Sequence, residues 1–535
     1  MSRRVDPWID GDRAGEYGSP ATRRAPAVAA ALLVPICLIY LWFPGDADQT
    51  LFELGADKLA RGAVYYRDFW DIKQPGIYWV YQLGALLGVG VVGPRLVELA
   101  GALLGAAVVW RLSATWTPHV LARVLSPVLL IGSYLLFTHH GGVVVVEGLT
   151  VPLLVGIVAL TWPADPGGGP PRAAWRWAAA GLLGGLVGVL KTFYLPLPAL
   201  LMVGALVASR APLARRGRVA AAGIAGAAVP LAATCLYFGS YGAWRLFWMT
   251  TFEVPLATAG RPVMSDNRQH FLEMGVALAA LMLPLATVAV VTARRRGTGG
   301  RELTLSAATL LALVLAWPQF PTPYRLLVLV GPLGMLAVVG LGVLVGRAAA
   351  RDHARPHRPL AVLLAVLAVL ALPSMRGPQR LLFATGQVPT WGLGEADRNA
   401  RDEVLIHEYP SQDVAPVRGK IRPGDSVYVI GHPQPYQLLH VEEAIEIAGW
   451  GSKLQPSLVW RERDRELVRS RPLWVFIETE MSRDVEQLAP RFTTVLAVDY
   501  RRIATTPRGI WYRNDRPGIP AGVPGDNQLA NKNTR

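Results

Sequence analysis

Cysteine is almost absent from this chain: Cys37 and Cys235 are the two among 535 residues, and both sit inside apolar runs. A disulfide framework and a Cys-ligated zinc site are therefore excluded. Charge is scarce too. Asp, Glu, Lys and Arg make up 17% of the residues, where soluble proteins carry about 25%. Hydrophobic residues reach 52% and mean hydropathy is +0.32, so the chain reads as a membrane protein. Walker-type and dinucleotide-binding glycine motifs are missing. Internal repeats are missing as well and span interiors are nearly free of charge, against a carrier built from matched halves. The N-terminal MSRRVDPWIDGDRAGEYGSPATRR lacks a compact basic start, an apolar core and a small-residue cleavage site, which makes Ala25 to Phe43 a retained signal anchor.

What is present is a net charge of +15, spread as Arg clusters between apolar runs. That is the pattern of cytoplasmic loops, not of a nucleic-acid-binding patch. Since about 20 helical residues cross the hydrocarbon, eleven apolar runs are read as spans: 26–43, 96–112, 123–138, 144–161, 176–190, 193–209, 219–238, 271–293, 304–317, 324–345 and 360–374. The basic segments at Arg210 to Arg218, Arg294 to Arg301 and Gly346 to Arg358 all face the cytoplasm, each separated from the next by two spans. Counting from both ends agrees only if GIYWVYQLGALLGVGVVG, Gly76 to Gly93, does not cross. Its load of Tyr78, Trp79, Tyr81 and Gln82 at one end and glycine at the other suits a helix at the outer interface. Residues 44–95 then form one large external loop.

That loop is where charge meets the membrane surface, and charge beside hydrocarbon defaults to a functional reading. It carries Asp46, Asp48, Glu53, Asp57, Asp68, Asp71 and Lys73. Asp48 opens DQTLFELGADKLARG, an amphipathic helix, either as its N-cap or as a chemical group. Two aromatic pairs, Tyr65-Tyr66 and Phe69-Trp70, frame Asp68, Asp71 and Lys73. A lysine at the interface suits a phosphate headgroup and aromatic faces suit a sugar ring. The alternatives are an Arg67–Asp71 pair in a solvated face and aromatics that anchor the interface. Glu147, Lys191 in the LKTFY break and Arg325 in PQFPTPYR fall on the same outer side. For Lys191 the competing role is snorkelling to headgroups; for His139 and His140 it is an interfacial position without metal.

From Arg376 the composition becomes that of a globular domain. SVYVIG (Ser426 to Gly431), LWVFIET (Leu473 to Thr479), TVLAVDY (Thr494 to Tyr500) and GIWYRN (Gly509 to Asn514) read as strands, and RERDRELVRS as a helix. The expected organisation is a cytoplasmic tail (1–25), an all-α polytopic membrane domain (26–375), a small extracytoplasmic α/β domain (376–516) and a Pro, Gly and Asn-rich disordered tail (517–535). The domain offers acceptor binding or packing over the first loop; His432 and His440 in GHPQPYQLLH are explained by a turn.

In the order Asp48, Phe52, Ala56, Leu59, Gly62, followed by Lys73, Pro75, Tyr78 and Trp79, the first loop resembles that of GT-C-type membrane glycosyltransferases, the group containing dolichyl-phosphate-mannose protein mannosyltransferases and bacterial aminoarabinose transferases. Glu147, the Gly-rich LGGLVGVLKTFY ending near Lys191 and PQFPTPYRLLVLVGPLG are similar to later elements of that group. The resemblance covers most of residues 26–345. Gln49 stands where the group has a second acid, Gln74 separates Lys73 from Pro75, Pro323 replaces a frequent His, and Asp46 is a rival to Asp48. It implies inverting transfer of a sugar from a polyprenyl-phosphate donor to a glycan, lipid or protein acceptor at the outer membrane face, with Asp48 as general base. Lys73, with Lys191 or Arg325, would stabilise the leaving phosphate. No cofactor is required by that chemistry; the acids of the first loop are where a divalent cation would sit, and Gln49 removes one of that set. The rival classes are a polyprenyl-linked glycan or lipid transporter and a non-catalytic membrane scaffold.

Overall fold

The structure is a computed structural model that describes residues 20–516 apart from 46, 118, 139–141, 163–172, 259–267, 298, 318–321, 352–391, 393, 407–409, 451–454 and 456. Among the described residues six helices are long and apolar enough to cross a bilayer: Arg23–Leu41, Gly90–Trp116, Val120–Phe137, Leu213–Ser240, Arg268–Arg296 and Pro323–Ala348. Shorter apolar helices, Val146–Thr161, Ala174–Leu190 and Thr192–Ala208, pack among them. The expected span at 304–317 coincides with the helix Gly300–Ala316, and that at 360–374 lies outside the described residues. The chain is a multi-pass membrane protein.

Helix contact is set by small residues, as it must be where lipid gives no hydrophobic drive for association. Gly181, Gly185 and Gly226 line the crossing of Ala174–Leu190 with Leu213–Ser240. A Cβ on Gly181 would lie 1.9 Å from the Gly223 carbonyl oxygen and one on Gly226 2.0 Å from that of Ala178. Val120–Phe137 is a single rod whose stretch Val128–Gly132 is π-helical immediately after Pro127, where the proline removes a backbone donor.

The segment 76–93 does not cross. Pro75 starts a helix of 11 residues, Pro75–Ala85, about 16 Å long at 1.5 Å per residue, half of what a crossing needs. The chain then turns back through a 3₁₀ turn, Gly90–Val92. Gly84 and Gly93 meet there so closely that a Cβ on Gly93 would sit 2.1 Å from the Gly84 carbonyl oxygen.

The C-terminal domain holds a four-stranded sheet of β1 (Val427–Ile430), β2 (Trp474–Glu478), β3 (Tyr500–Thr505) and β4 (Gly509–Asn514), in the order β1-β2-β4-β3. β1 and β2 are parallel, connected through the helix Ser457–Ser470, and β4 is antiparallel to both neighbours. One expected strand is corrected. Residues 494–499 belong to the helix Pro490–Asp499, and the strand begins only at Tyr500. Pro490 presets the first helical turn. The buried Phe492 and Asp499 flank Val495 and Leu496, which pack on the core, at the spacing of one helix face, so the period that governs is 3.6 and not 2.

The domain packs over the first loop. Lys58 pairs with Glu443 at 2.9 Å, Arg398 with Glu53 at 2.5 Å, and Gln437 Nε2 donates to Glu53 at 2.7 Å. Trp70 adds a strand-like bridge: its N–H donates to the Glu446 carbonyl at 2.8 Å and its own carbonyl accepts from Ala448 N–H at 3.0 Å.

Candidate active site

The helix Ala47–Ala60 places Asp48 in its first turn, where the helix dipole favours an anion. The neighbour Gln49 fixes the helix start by donating to the Val143 carbonyl at 2.6 Å, and Arg95 gathers the Leu41 and Phe43 carbonyls at 2.6 and 2.8 Å. On Asp48 Oδ1 converge the Lys73 ammonium at 2.7 Å and the Trp450 indole N–H at 2.7 Å; on Oδ2 the Tyr324 hydroxyl donates at 3.2 Å. Burial pushes the Asp48 carboxyl up, but the Lys73 charge and hydrogen bond, with Trp450 and Arg325, outweigh it and hold the group below its ordinary value. Burial likewise disfavours the Lys73 ammonium, yet Asp48 and Asp71 bring its pKa above normal. The pair is ionised.

Asp71 is fully buried beside them. Its Oδ2 accepts from the Tyr78 hydroxyl at 2.9 Å and the Lys73 N–H at 3.2 Å, while Oδ1 has no partner among the described residues. Burial raises this carboxyl above its ordinary value despite the pull of Lys73. The Lys73 backbone is locked from beneath. Both the Tyr65 and the Tyr66 hydroxyls donate to its carbonyl at 2.8 Å, with Tyr66 in the left-handed region at φ +68°, a conformation that costs a bulky residue energy and is kept where surrounding structure imposes it.

A second cluster forms at the ends of three membrane helices. Glu147, 1% exposed, lies in the first turn of Val146–Thr161. Its Oε1 accepts from the Lys191 ammonium at 2.8 Å, the Tyr194 hydroxyl at 3.0 Å and the Arg325 guanidinium. Lys191 caps the end of Ala174–Leu190. Gln74 holds that end against the first loop, accepting from the Thr192 N–H at 2.6 Å and hydroxyl at 3.0 Å. The two clusters meet in the 3₁₀ turn Pro323–Leu326, where Tyr324 reaches Asp48 and the next residue, Arg325, reaches Glu147. Lys73, Lys191 and Arg325 thus surround one region that also contains Asp48.

The other sequence-derived candidates fall elsewhere. Asp68 is part-exposed at the seam with the C-terminal domain, pairing with Arg67 at 2.8 Å and accepting the Val64 N–H at 2.8 Å; Arg67 therefore bonds Asp68 and not Asp71. Tyr66 is buried, its ring packed on Phe238 and Phe247, so it supports Lys73 and presents no face to a sugar. Tyr65, Phe69 and Trp70 are also core residues. Asp46, His139 and His140 lie outside the described residues. Trp450, Tyr324 and Tyr194 escaped the sequence reading. Tyr324 and Tyr194 lie beside Arg325 and Lys191 in motifs that were noticed, whereas nothing local marks Trp450. Among the described residues no three acids, histidines or cysteines converge, and Asp48 is engaged by the Lys73 ammonium.

The chain matches no known protein family in a family scan and no curated protein sequence. It does share its fold with solved structures. ArnT from Cupriavidus metallidurans in the apo state superposes with a TM-score of 0.56 at 16% identity, over 92% of this chain and 98% of that one. The same protein bound to undecaprenyl phosphate gives 0.59 at 16% identity, over 93% and 100%. The arabinofuranosyltransferase AftD from Mycobacteria gives 0.50 at 14% identity, over 92% of this chain and 40% of that one. The GT-C fold expected from the first loop is the fold this chain shares with ArnT over 92–93% of its length.

Proposed function

We propose that the protein is a membrane glycosyltransferase that moves a sugar from a polyprenyl-phosphate donor to a hydroxyl acceptor at the outer membrane face. The observation that carries this reading is the juxtaposition, through Tyr324 and Arg325, of an ionised carboxylate with three cations around one region. An undecaprenyl phosphate-bound structure of the same fold supports the donor class. Asp48 Oδ1 is occupied by Lys73 and Trp450, and among the described residues Oδ2 takes only the longer Tyr324 contact, so Oδ2 is the oxygen that receives the acceptor's proton. The acceptor oxygen attacks the anomeric carbon, the bond from that carbon to the phosphate oxygen breaks on the opposite face, and the electron pair leaves with the lipid phosphate, inverting the centre. Lys73, Lys191 and Arg325 stabilise that growing negative charge, an effect of a few kcal/mol per well-placed donor in a site shielded from water.

The test compares membrane lipids and envelope glycans of cells with the gene, without it, and with Asp48→Asn. A polyprenyl-phosphate sugar that accumulates both in the deletion and with Asp48→Asn names the donor and supports the reading. Unchanged lipid pools and glycans in the deletion sink it.

A further inference from the structure

The C-terminal domain reaches further into this site than a cover would. Trp450 follows the segment 446–448 that pairs with Trp70, and each carbonyl along it is tied down. Tyr428 donates to Ile447 O at 2.8 Å, Arg463 to Ala448 O at 2.9 Å, and Gln455 Nε2 to both Ala448 O and Trp450 O at 3.2 Å. Gly449 is pressed against the end of β1, where a Cβ would lie 1.7 Å from the Val429 carbonyl oxygen. The indole itself rests on the His432 ring, centroids 4.4 Å apart. His432 is held by Glu478 at 2.6 Å, and Glu478 by Arg508 at 2.8 Å. The parallel strands β1 and β2 therefore aim one N–H at Asp48 from outside the membrane domain.

We propose that Trp450 is a positioning residue for Asp48, so that the C-terminal domain completes the active site. This rests on the reading of Asp48 as the base. Lys73 and the indole N–H anchor the same oxygen, which fixes the carboxylate plane and turns Oδ2 toward the acceptor. Lys73 alone supplies charge without direction, because an ammonium rotates freely. The indole supplies a single directed bond from a rigid ring.

The test needs no substrate. The full chain in detergent is treated with dicyclohexylcarbodiimide, which reacts with protonated carboxyls, and Asp48 labelling is followed by peptide mass spectrometry across pH. The groups facing Asp48 are Lys73, Tyr324, Trp450 and, more distantly, Arg325 and Asp71. Trp450→Phe keeps an aromatic ring but removes the five-membered ring that carries the N–H, so the proton is held more tightly and half-labelling moves to higher pH, by roughly half a unit to one unit. His432→Ala, which loosens the indole without removing its N–H, moves it less in the same direction. A Trp450→Phe profile that overlays the wild type overturns the proposal, and so does a lowered unfolding temperature with an unmoved profile, the signature of packing alone. Neither outcome bears on whether the lipid pools change with Asp48→Asn, so the two readings fail separately.

Discussion

The two acid–cation clusters look alike in space, each an acid paired with a lysine, but they differ in how the donors are arranged. Around Asp48 the donors are spread over both carboxylate oxygens and include two neutral groups, Trp450 and Tyr324. Around Glu147 all three donors share one oxygen, and two of them are cations. With Asp48 and Lys73 ionised, the first cluster is close to neutral in charge; the second carries one positive charge in excess. A neutral cluster with one lightly used oxygen suits proton acceptance. A positive one suits an anion. On the proposed function, Glu147 serves by holding Lys191 and Arg325 in place, and the comparison separates the proposed base from the proposed phosphate site.

The sharpest way to break that division is to remove each acid in turn. Asp48→Asn should lower turnover by about 10²–10⁴-fold, the range of a lost general base, with lipid-phosphate binding kept, as measured by titration with undecaprenyl phosphate. Glu147→Gln should instead act on stability. It leaves two largely buried cations without a counter-charge, and breaking a buried pair costs about 3–5 kcal/mol. The readout is the unfolding temperature in detergent. Adding Arg325→Met to Glu147→Gln should recover part of the loss, because it removes one uncompensated charge. If Glu147→Gln left stability intact and abolished turnover, the roles of the two acids would have to be exchanged.

Lys73 tests the same division through pH. Asp48 sits below its ordinary value because Lys73 overcomes the effect of burial. Its ionisation therefore stabilises the fold above the unfolded carboxyl's pKa, about 3.9, and that contribution is lost as pH falls through the lower folded value. The raised Lys73 contributes below its unfolded value of about 10.4, a contribution lost as pH rises through the higher folded one. In Lys73→Met the burial effect stands without its main opponent. Half-labelling of Asp48 by carbodiimide should move up by about 1–3 units, further than for Trp450→Phe. A smaller shift would mean that the neutral donors, not the ammonium, keep Asp48 ionised.

Much of this was legible in the sequence because membrane constraints are strict. The apolar helices could be read from run length, and the non-crossing 76–93 from charge bookkeeping, aromatic loading and glycines that the structure puts at a reversal. Lys73, Glu147, Lys191 and Arg325 could be named because charge in such company is rare. The aromatics were harder. Tyr65, Tyr66, Phe69 and Trp70 look the same in sequence whether they face a sugar or a core, and only the chain reversal at Tyr66 decides it. Trp450 was out of reach: it lies 402 residues from Asp48, in a segment whose placement depends on long-range pairing with Trp70. In the C-terminal domain Thr494–Tyr500 reads as a strand on composition, and the proline four residues earlier overrides it.

The smallest effect is expected where the two regions touch in water. Arg61 pairs with Glu442 at 2.6 Å, but the side chains remain 58% and 68% exposed. Lys58 and Glu443, one helical turn and one residue away respectively, are 15% and 2% exposed. Screening and side-chain entropy leave exposed pairs with about 0–1 kcal/mol, so Arg61→Ala should shift the unfolding temperature within measurement scatter and leave the Asp48 labelling profile in place. Lys58→Ala strands a buried carboxylate and should lower the unfolding temperature clearly. An equal response of the two variants would imply that docking of the C-terminal domain depends on net charge across the seam. The expected inequality ties docking to the buried contacts, the same ones that bring Trp450 within reach of Asp48.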